Sequence, residues 1–215
     1  MWFLLLAFGL AVPAPGRAHP HIFIDAGLVL LHNRAGRLVA VEVTWRYDEL
    51  YSLLIMQDYG LDPDFDGTLT QAERAATLGF DLNWGVGFEG GLELWQDGTP
   101  LMLGAPEPVS LRLTDSGQLE TVHRRPVAGA IPMAPVIKAA IYDREFYIAF
   151  ELTLPMRVVG RAGCAPRLVR PDLDAAYAIL EAEIERLGGA ISAEQNFPAV
   201  GAIFADQVVV TCAPA

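Results

Sequence analysis

The twelve residues from Asp62 to Glu73 read DPDFDGTLTQAE, and their spacing fits a calcium loop of the EF-hand type. Such a loop takes oxygen ligands from positions 1, 3, 5, 7, 9 and 12, the seventh through a main-chain carbonyl, and uses glycine at position 6 for a sharp turn. Here the acids are Asp62, Asp64 and Asp66, and the glycine is Gly67. Thr68 offers the carbonyl, Thr70 a hydroxyl and Glu73 the closing carboxylate. Leu69 supplies an apolar anchor, while Pro63 donates no ligand and stiffens the start of the loop. The competing reading is an acidic helix-turn-helix with a capping box and no ion. In that reading three close aspartates would repel one another. A single loop of this kind reads as a structural Ca2+ site rather than a switch.

A second set of donors lies at HPHIFID, residues 19 to 25. If the chain is cleaved before His19, a free α-amine and the rings of His19 and His21 lie within a few bonds of one another. That donor set suits Ni2+, Co2+, Zn2+ or Cu2+. Pro20 has no N–H to lose, which blocks square-planar binding through deprotonated main-chain amides. An extended chain projects His21, Phe23 and Asp25 to one face. Asp25 could then ligate directly or orient an imidazole, with His123 as a distant candidate to complete the shell. The competing reading is an ordinary strand start with solvent-exposed histidines.

Cleavage is expected because MWFLLLAFGLAVPAPGRA, residues 1–18, resembles a signal peptide. Its apolar run is broken by Pro13 and Pro15, and Gly16 and Ala18 suit a signal-peptidase site. A buried N-terminal helix or an anchor is the alternative, although about 20 apolar residues are needed to span a bilayer. No other stretch is apolar for long enough, so the mature chain is expected to lack a membrane span and to be periplasmic. The two cysteines, Cys164 and Cys212, form no CxxC pair. In an oxidising compartment they can form one disulfide, the alternative being two separate buried thiols.

These sites need a framework. The chain has 215 residues, is 53% hydrophobic, and carries 15 Lys+Arg against 26 Asp+Glu. It can bury a core as a single domain over 19–215. Without a basic patch, nucleic acid is not an expected partner. Residues 21–32 and 36–47 read as a β-hairpin across NRAG. From Asp48 the period becomes helical, with Asp48 as N-cap, Leu50, Leu53 and Leu54 as the apolar stripe, and Gly60 as the stop. A second helix follows over 70–88, opened by a Thr70/Glu73 capping box. The insert thus covers about 48–88. The rest is strand-rich, apart from a helix at 172–189 with Leu173, Ala176, Ile179, Leu180, Ile184 and Leu187 as its stripe. The expected class is α+β: a mainly antiparallel sheet, an inserted helix–loop–helix and a C-terminal helix.

HPHIFID, DPDFDGTLTQAE, AAIYDREFYIAF (139–150) and a following cysteine together resemble a family of exported bacterial proteins of unknown function. That family is often described as the periplasmic component of an uncharacterised ABC-type transport system. His19, Pro20, His21 and Asp25 match its His-Pro-His and aspartate motif, and Tyr142, Asp143 and Phe146 fit its later strand motif. Phe23 stands where the family commonly has Trp. The resemblance implies a periplasmic role beside a membrane metal transporter, often of the nickel/cobalt exporter type, without catalysis. No Ser/His/Asp or Cys/His constellation or acid/base carboxylate pair argues otherwise. The expected function is therefore an accessory protein for a divalent transition metal with a structural Ca2+ site. The alternative is a calcium-dependent structural or interaction module with no transition-metal role.

Overall fold

A computed structural model describes residues 20–85, 88–131, 136–187 and 197–213. The expected signal segment and His19 lie outside these residues. In chain order the strands are β1 (Ile22–His32), β2 (Leu38–Tyr47), β3 (Leu92–Gln96), β4 (Thr99–Pro100), β5 (Glu107–Leu113), β6 (Leu119–Ile131), β7 (Val136–Ile141), β8 (Ile148–Glu151), β9 (Met156–Val159), β10 (Cys164–Val169) and β11 (Gln207–Cys212). The helices are α1 (Glu49–Tyr59), α2 (Gln71–Thr77) and α3 (Leu173–Arg186).

The strands form two sheets. The first runs β5-β6-β2-β1-β8, with β9 also on β1, and the second runs β10-β11-β7-β3-β4. One core cluster takes Leu28, Leu30, Val41 and Val43 from the first sheet and Leu94, Ile137, Val208 and Val210 from the second. The N-terminal hairpin forms as expected, with the Asn33 side-chain oxygen accepting the N–H groups of Ala35 and Arg37 across the turn. The two cysteines are joined in a disulfide that links β10 to β11, where they are also register partners.

Three details depart from the sequence reading. The strands, mainly antiparallel as expected, form two sheets rather than one, and the first also holds parallel pairs, β8 with Ile22–Asp25 of β1 and β9 with Leu28–Leu31. Between these pairings the connection runs along the edge of β1, bonded to Ala26 and Leu28, and passes Gly27, where an added Cβ would lie 2.9 Å from that of Leu154. Only a glycine admits that approach. Second, α2 spans 7 residues and does not reach residue 88. Its Thr77 hydroxyl bonds back to the Glu73 carbonyl, and Gly79 then turns the chain away at positive φ.

Third, α1 presents the opposite face to the core from the one its leucines suggest. Leu50, Leu53 and Leu54 are 70%, 58% and 48% exposed. Ser52 and Ile55 are buried instead. The Ser52 hydroxyl donates to the Tyr47 carbonyl and accepts the Leu119 N–H, which ties α1 to both β2 and β6. In α3 likewise only Ala176 and Leu180 are buried, and they pack against Val200 and Phe204.

His123 occupies the core rather than a surface site. It is 1% exposed, with its ring 4.8 Å from that of Trp45 and 5.7 Å from that of Trp84. Neither ring nitrogen has a hydrogen-bond partner among the described residues. Burial, helped by the Arg125 charge, pushes its pKa down to about 3. The unfolded chain protonates this group near pH 6.5, so between the two values it binds more protons than the folded chain. Stability therefore falls as pH drops through that window. His123→Phe is expected to flatten this dependence, narrowing the loss between pH 7 and pH 4.5 by on the order of 2 kcal/mol in urea unfolding. An unchanged slope would mean that His123 is not the titrating group.

Candidate metal centre

The acidic loop is pinned to the core at both ends. Helix α1 starts on the Asp48 carboxylate, which accepts the Tyr51 N–H, and stops at Gly60 in the left-handed conformation. Leu61 then buries before the loop, and Leu69 buries at its eighth position. Between them, positive φ at Asp62, Phe65 and Gly67 curls the main chain over its own acids. Asp62 accepts the N–H groups of Asp66 and Gly67 at 2.9 and 3.1 Å. Asp66 accepts the Thr68 N–H at 2.8 Å and the Thr68 hydroxyl at 2.5 Å.

This folding gathers the first three acids. One carboxylate oxygen from each of Asp62, Asp64 and Asp66 lies within 4.8 Å of the others. Calcium holds oxygens at about 2.3–2.6 Å, so ligands on opposite sides of one ion lie about 5 Å apart, and the three fit a common sphere. Asp62 is buried, while Asp64 and Asp66 are exposed. Hydrogen bonds from Thr68 hold Asp66 below the ordinary carboxylate range.

Glu73 sits outside that group of three. Its two oxygens accept the Asp62 N–H at 2.8 Å and the Thr70 N–H at 2.6 Å, while the Thr70 hydroxyl accepts the Glu73 N–H at 3.2 Å. The expected capping box is therefore formed. The same carboxylate also fastens the first residue of the loop to its last. Bonds from Thr70, and then Asp62, hold Glu73 below the usual carboxylate range. Each bonded oxygen keeps a lone pair.

The N-terminal donors are less closely grouped. His21, Phe23 and Asp25 share the outer face of β1, opposite the buried Ile24, Ala26 and Leu28. Asp25 lies four positions along the extended chain from His21, a span of about 13 Å, which is too far for both to bind one ion directly. The His21 ring lies 4.7 Å from that of Tyr147. Asp25 accepts a hydrogen bond from the Thr153 hydroxyl. It also belongs to a row across the sheet, with Glu151, Arg46, Glu120 and Arg112 in register. Within the row both arginines pair with Glu120, at 2.8 and 2.6 Å. Strand alternation places these residues on one face, but the partner strands that complete the row cannot be read locally.

The AAIYDREFYIAF stretch builds the crossing between the sheets. Asp143 accepts the N–H groups of Glu145, Tyr147 and Ile148, which turns the chain from β7 into β8. Phe146 stacks on Phe204 at 4.3 Å, and the Tyr142 hydroxyl donates to Glu93 at 2.6 Å. The turn thereby delivers Tyr147 to His21.

The sequence model of one family, described as "Protein of unknown function (DUF1007)", matches residues 4–212. No curated protein matches the chain.

The loop geometry assigns Thr70 a role that does not depend on any ion. Thr70→Ala removes the cap and is expected to lower stability by about 1 kcal/mol in chelator, read from urea midpoints. Thr70→Ser should restore most of the loss. Equal midpoints for Thr70→Ala and the natural chain would show that the cap contributes nothing.

Proposed function

The chain belongs to that family of proteins of unknown function, and from this premise we propose that it is an exported metal-binding accessory protein of a membrane transport system for a divalent transition metal. A structural calcium ion is held in the Asp62–Glu73 loop. The observation that supports metal binding most directly is the convergence of Asp62, Asp64 and Asp66 within 4.8 Å. In this reading the three aspartates, the Thr68 carbonyl, Thr70 and the free lone pairs of Glu73 supply oxygens to calcium. The ion would neutralise three crowded charges and fix the end of α1 against the start of α2.

The transition metal belongs at the other end of the chain. Cleavage before His19 would give its amine and ring, with His21 as the partner ligand beside Tyr147. The cargo class is Ni2+, Co2+, Zn2+ or Cu2+, which the same nitrogen donors accept. Asp25 would support the site through the outer face of β1 rather than by joining His21 on one ion. The membrane partner is a metal transporter, and the protein performs no catalysis. Among the described residues no helix is long and apolar enough to cross a membrane.

A second reading is a calcium-dependent interaction module with idle histidines. It draws on the exposed stripe Leu50, Leu53 and Leu54 and on Phe65, which is 89% exposed in the acidic loop itself.

Two experiments test these readings. Asp64→Asn is expected to raise the melting temperature in chelator, by relieving repulsion, and to lower it relative to the natural chain in excess calcium. The same sign under both conditions would remove calcium from the account. The double change His19→Ala with His21→Ala is expected to abolish binding of one equivalent of transition metal, followed by native mass spectrometry of protein taken from a bacterial periplasm. Unchanged loading and unchanged metal transport in cells would favour the interaction module.

A further inference from the structure

Helix α1 and the segment after α2 do not close fully onto the first sheet. They leave a cavity of about 350 Å³. This lies within the range of small-molecule sites, roughly 300–1,000 Å³. Its walls are unusually rich in rings. Trp45 and Tyr47 come from β2, Tyr51 and Tyr59 from α1, and Trp84 from the following segment. The Trp45 and Trp84 rings lie 6.2 Å apart, and Tyr47 and Tyr51 5.6 Å apart.

The charges in this wall are all of one sign. Asp58 and Asp81 line the cavity, and no Lys, Arg or His does so among the described residues. Asp81 accepts hydrogen bonds from the Tyr47 hydroxyl at 2.9 Å and the Thr121 hydroxyl at 2.6 Å. No cation pairs with it among the described residues. The Arg125 guanidinium lies 5.0 Å from the Trp84 ring centroid but is tied to the carbonyls of Gly104 and Glu89, and Arg125 is not part of the lining. Burial first, and then the Asp81 charge, raises the Tyr47 pKa well above the ordinary range, so the phenol stays a neutral donor.

Electron-rich ring faces and uncompensated carboxylates attract the same kind of ligand. A cation is attracted to an aromatic face, more strongly as water is excluded, and a carboxylate adds Coulomb attraction. An ordinary neutral hydrophobe would gain nothing from Asp81, and an anion would be repelled by it. A bare metal ion would find too few oxygens among so many rings. We propose that this cavity is a binding site for a small organic cation of the alkylated ammonium class, held by the rings of Trp45, Trp84, Tyr51 and Tyr59 and by the Asp81 and Asp58 carboxylates. The site is separate from both metal sites proposed above.

The test uses the full exported chain, with tryptophan fluorescence and calorimetry as readouts. The probes are tetramethylammonium, choline and butyltrimethylammonium, with 3,3-dimethylbutan-1-ol as the neutral isostere of choline. At least one cation is expected to saturate, and choline to bind about tenfold tighter than its isostere. Asp81→Asn should weaken the best cation about tenfold, with the alcohol unaffected. Because Asp81 also accepts two internal hydroxyls, the exposed positions supply independent variants. Asp58→Asn and Tyr59→Ala should each weaken the cation about threefold without loss of melting temperature. Equal affinity for choline and the alcohol, no saturable response to any of the three cations, or indifference to both exposed substitutions would each overturn the proposal.

Discussion

The strand β1 is the constraint on which the other arrangements depend. It bonds β2 on one side, and β8 and then β9 on the other, with the β8–β9 connection taking up Ala26 and Leu28 between them. The two-residue period of a strand then leaves no choice about faces. Ile24, Ala26, Leu28 and Leu30 enter the core, and His21, Phe23 and Asp25 must look outward. A slip of one residue would bury Asp25 and expose the core leucines. The placement of the N-terminal donors is therefore a consequence of core formation, and so is the distance between His21 and Asp25.

The same strand pair sets the floor on which the helical insert rests. Trp45 and Tyr47 alternate inward along β2, and α1 begins immediately after Tyr47 on the Asp48 cap. Ser52 ties down the rotation of α1, because its buried hydroxyl bonds the main chain of both β2 and β6. An unmet N–H at Leu119 would cost about 1–3 kcal/mol, and Ile55 is buried on the same face. In that rotation the leucines point outward, and Tyr51 and Tyr59 line the cavity together with Trp45 and Trp84.

Features held by near neighbours were legible in the sequence. The hairpin, the Asp48 cap, the Gly60 stop and the Thr70/Glu73 capping box each depend on residues only a few positions apart, and each forms as read. The pairing of Cys164 with Cys212 was legible as one of two outcomes, because only two thiols were present. What failed was non-local. The parallel partners of β1 arrive from more than a hundred residues away. The inward face of α1 is decided by Leu119, and the early end of α2 by a single glycine. The gathering of Asp62, Asp64 and Asp66 was signalled by spacing, whereas the aromatic cavity had no signal at all, since its rings come from three separate segments.

The insert brings the acidic loop and the cavity into mechanical contact through one element. Ile55, Asp58 and Tyr59 of α1 line the cavity, and only Gly60 and Leu61 lie between the helix and the loop. Anything that holds Asp62 also holds the last turn of α1, because Glu73 binds the Asp62 N–H and Leu61 is buried beside it. On the calcium reading, the ion adds a second clamp at the point where the capping box already grips. The cost of ordering Asp58 and Tyr59 would then be met before a ligand arrives, which favours binding without any new contact to it. An ion-free loop would leave that turn freer to fray, since helix ends open at lower free energy than the sheet beneath. Loop and cavity are thus coupled through the stability of one helical turn, and the sheet floor is common to both states.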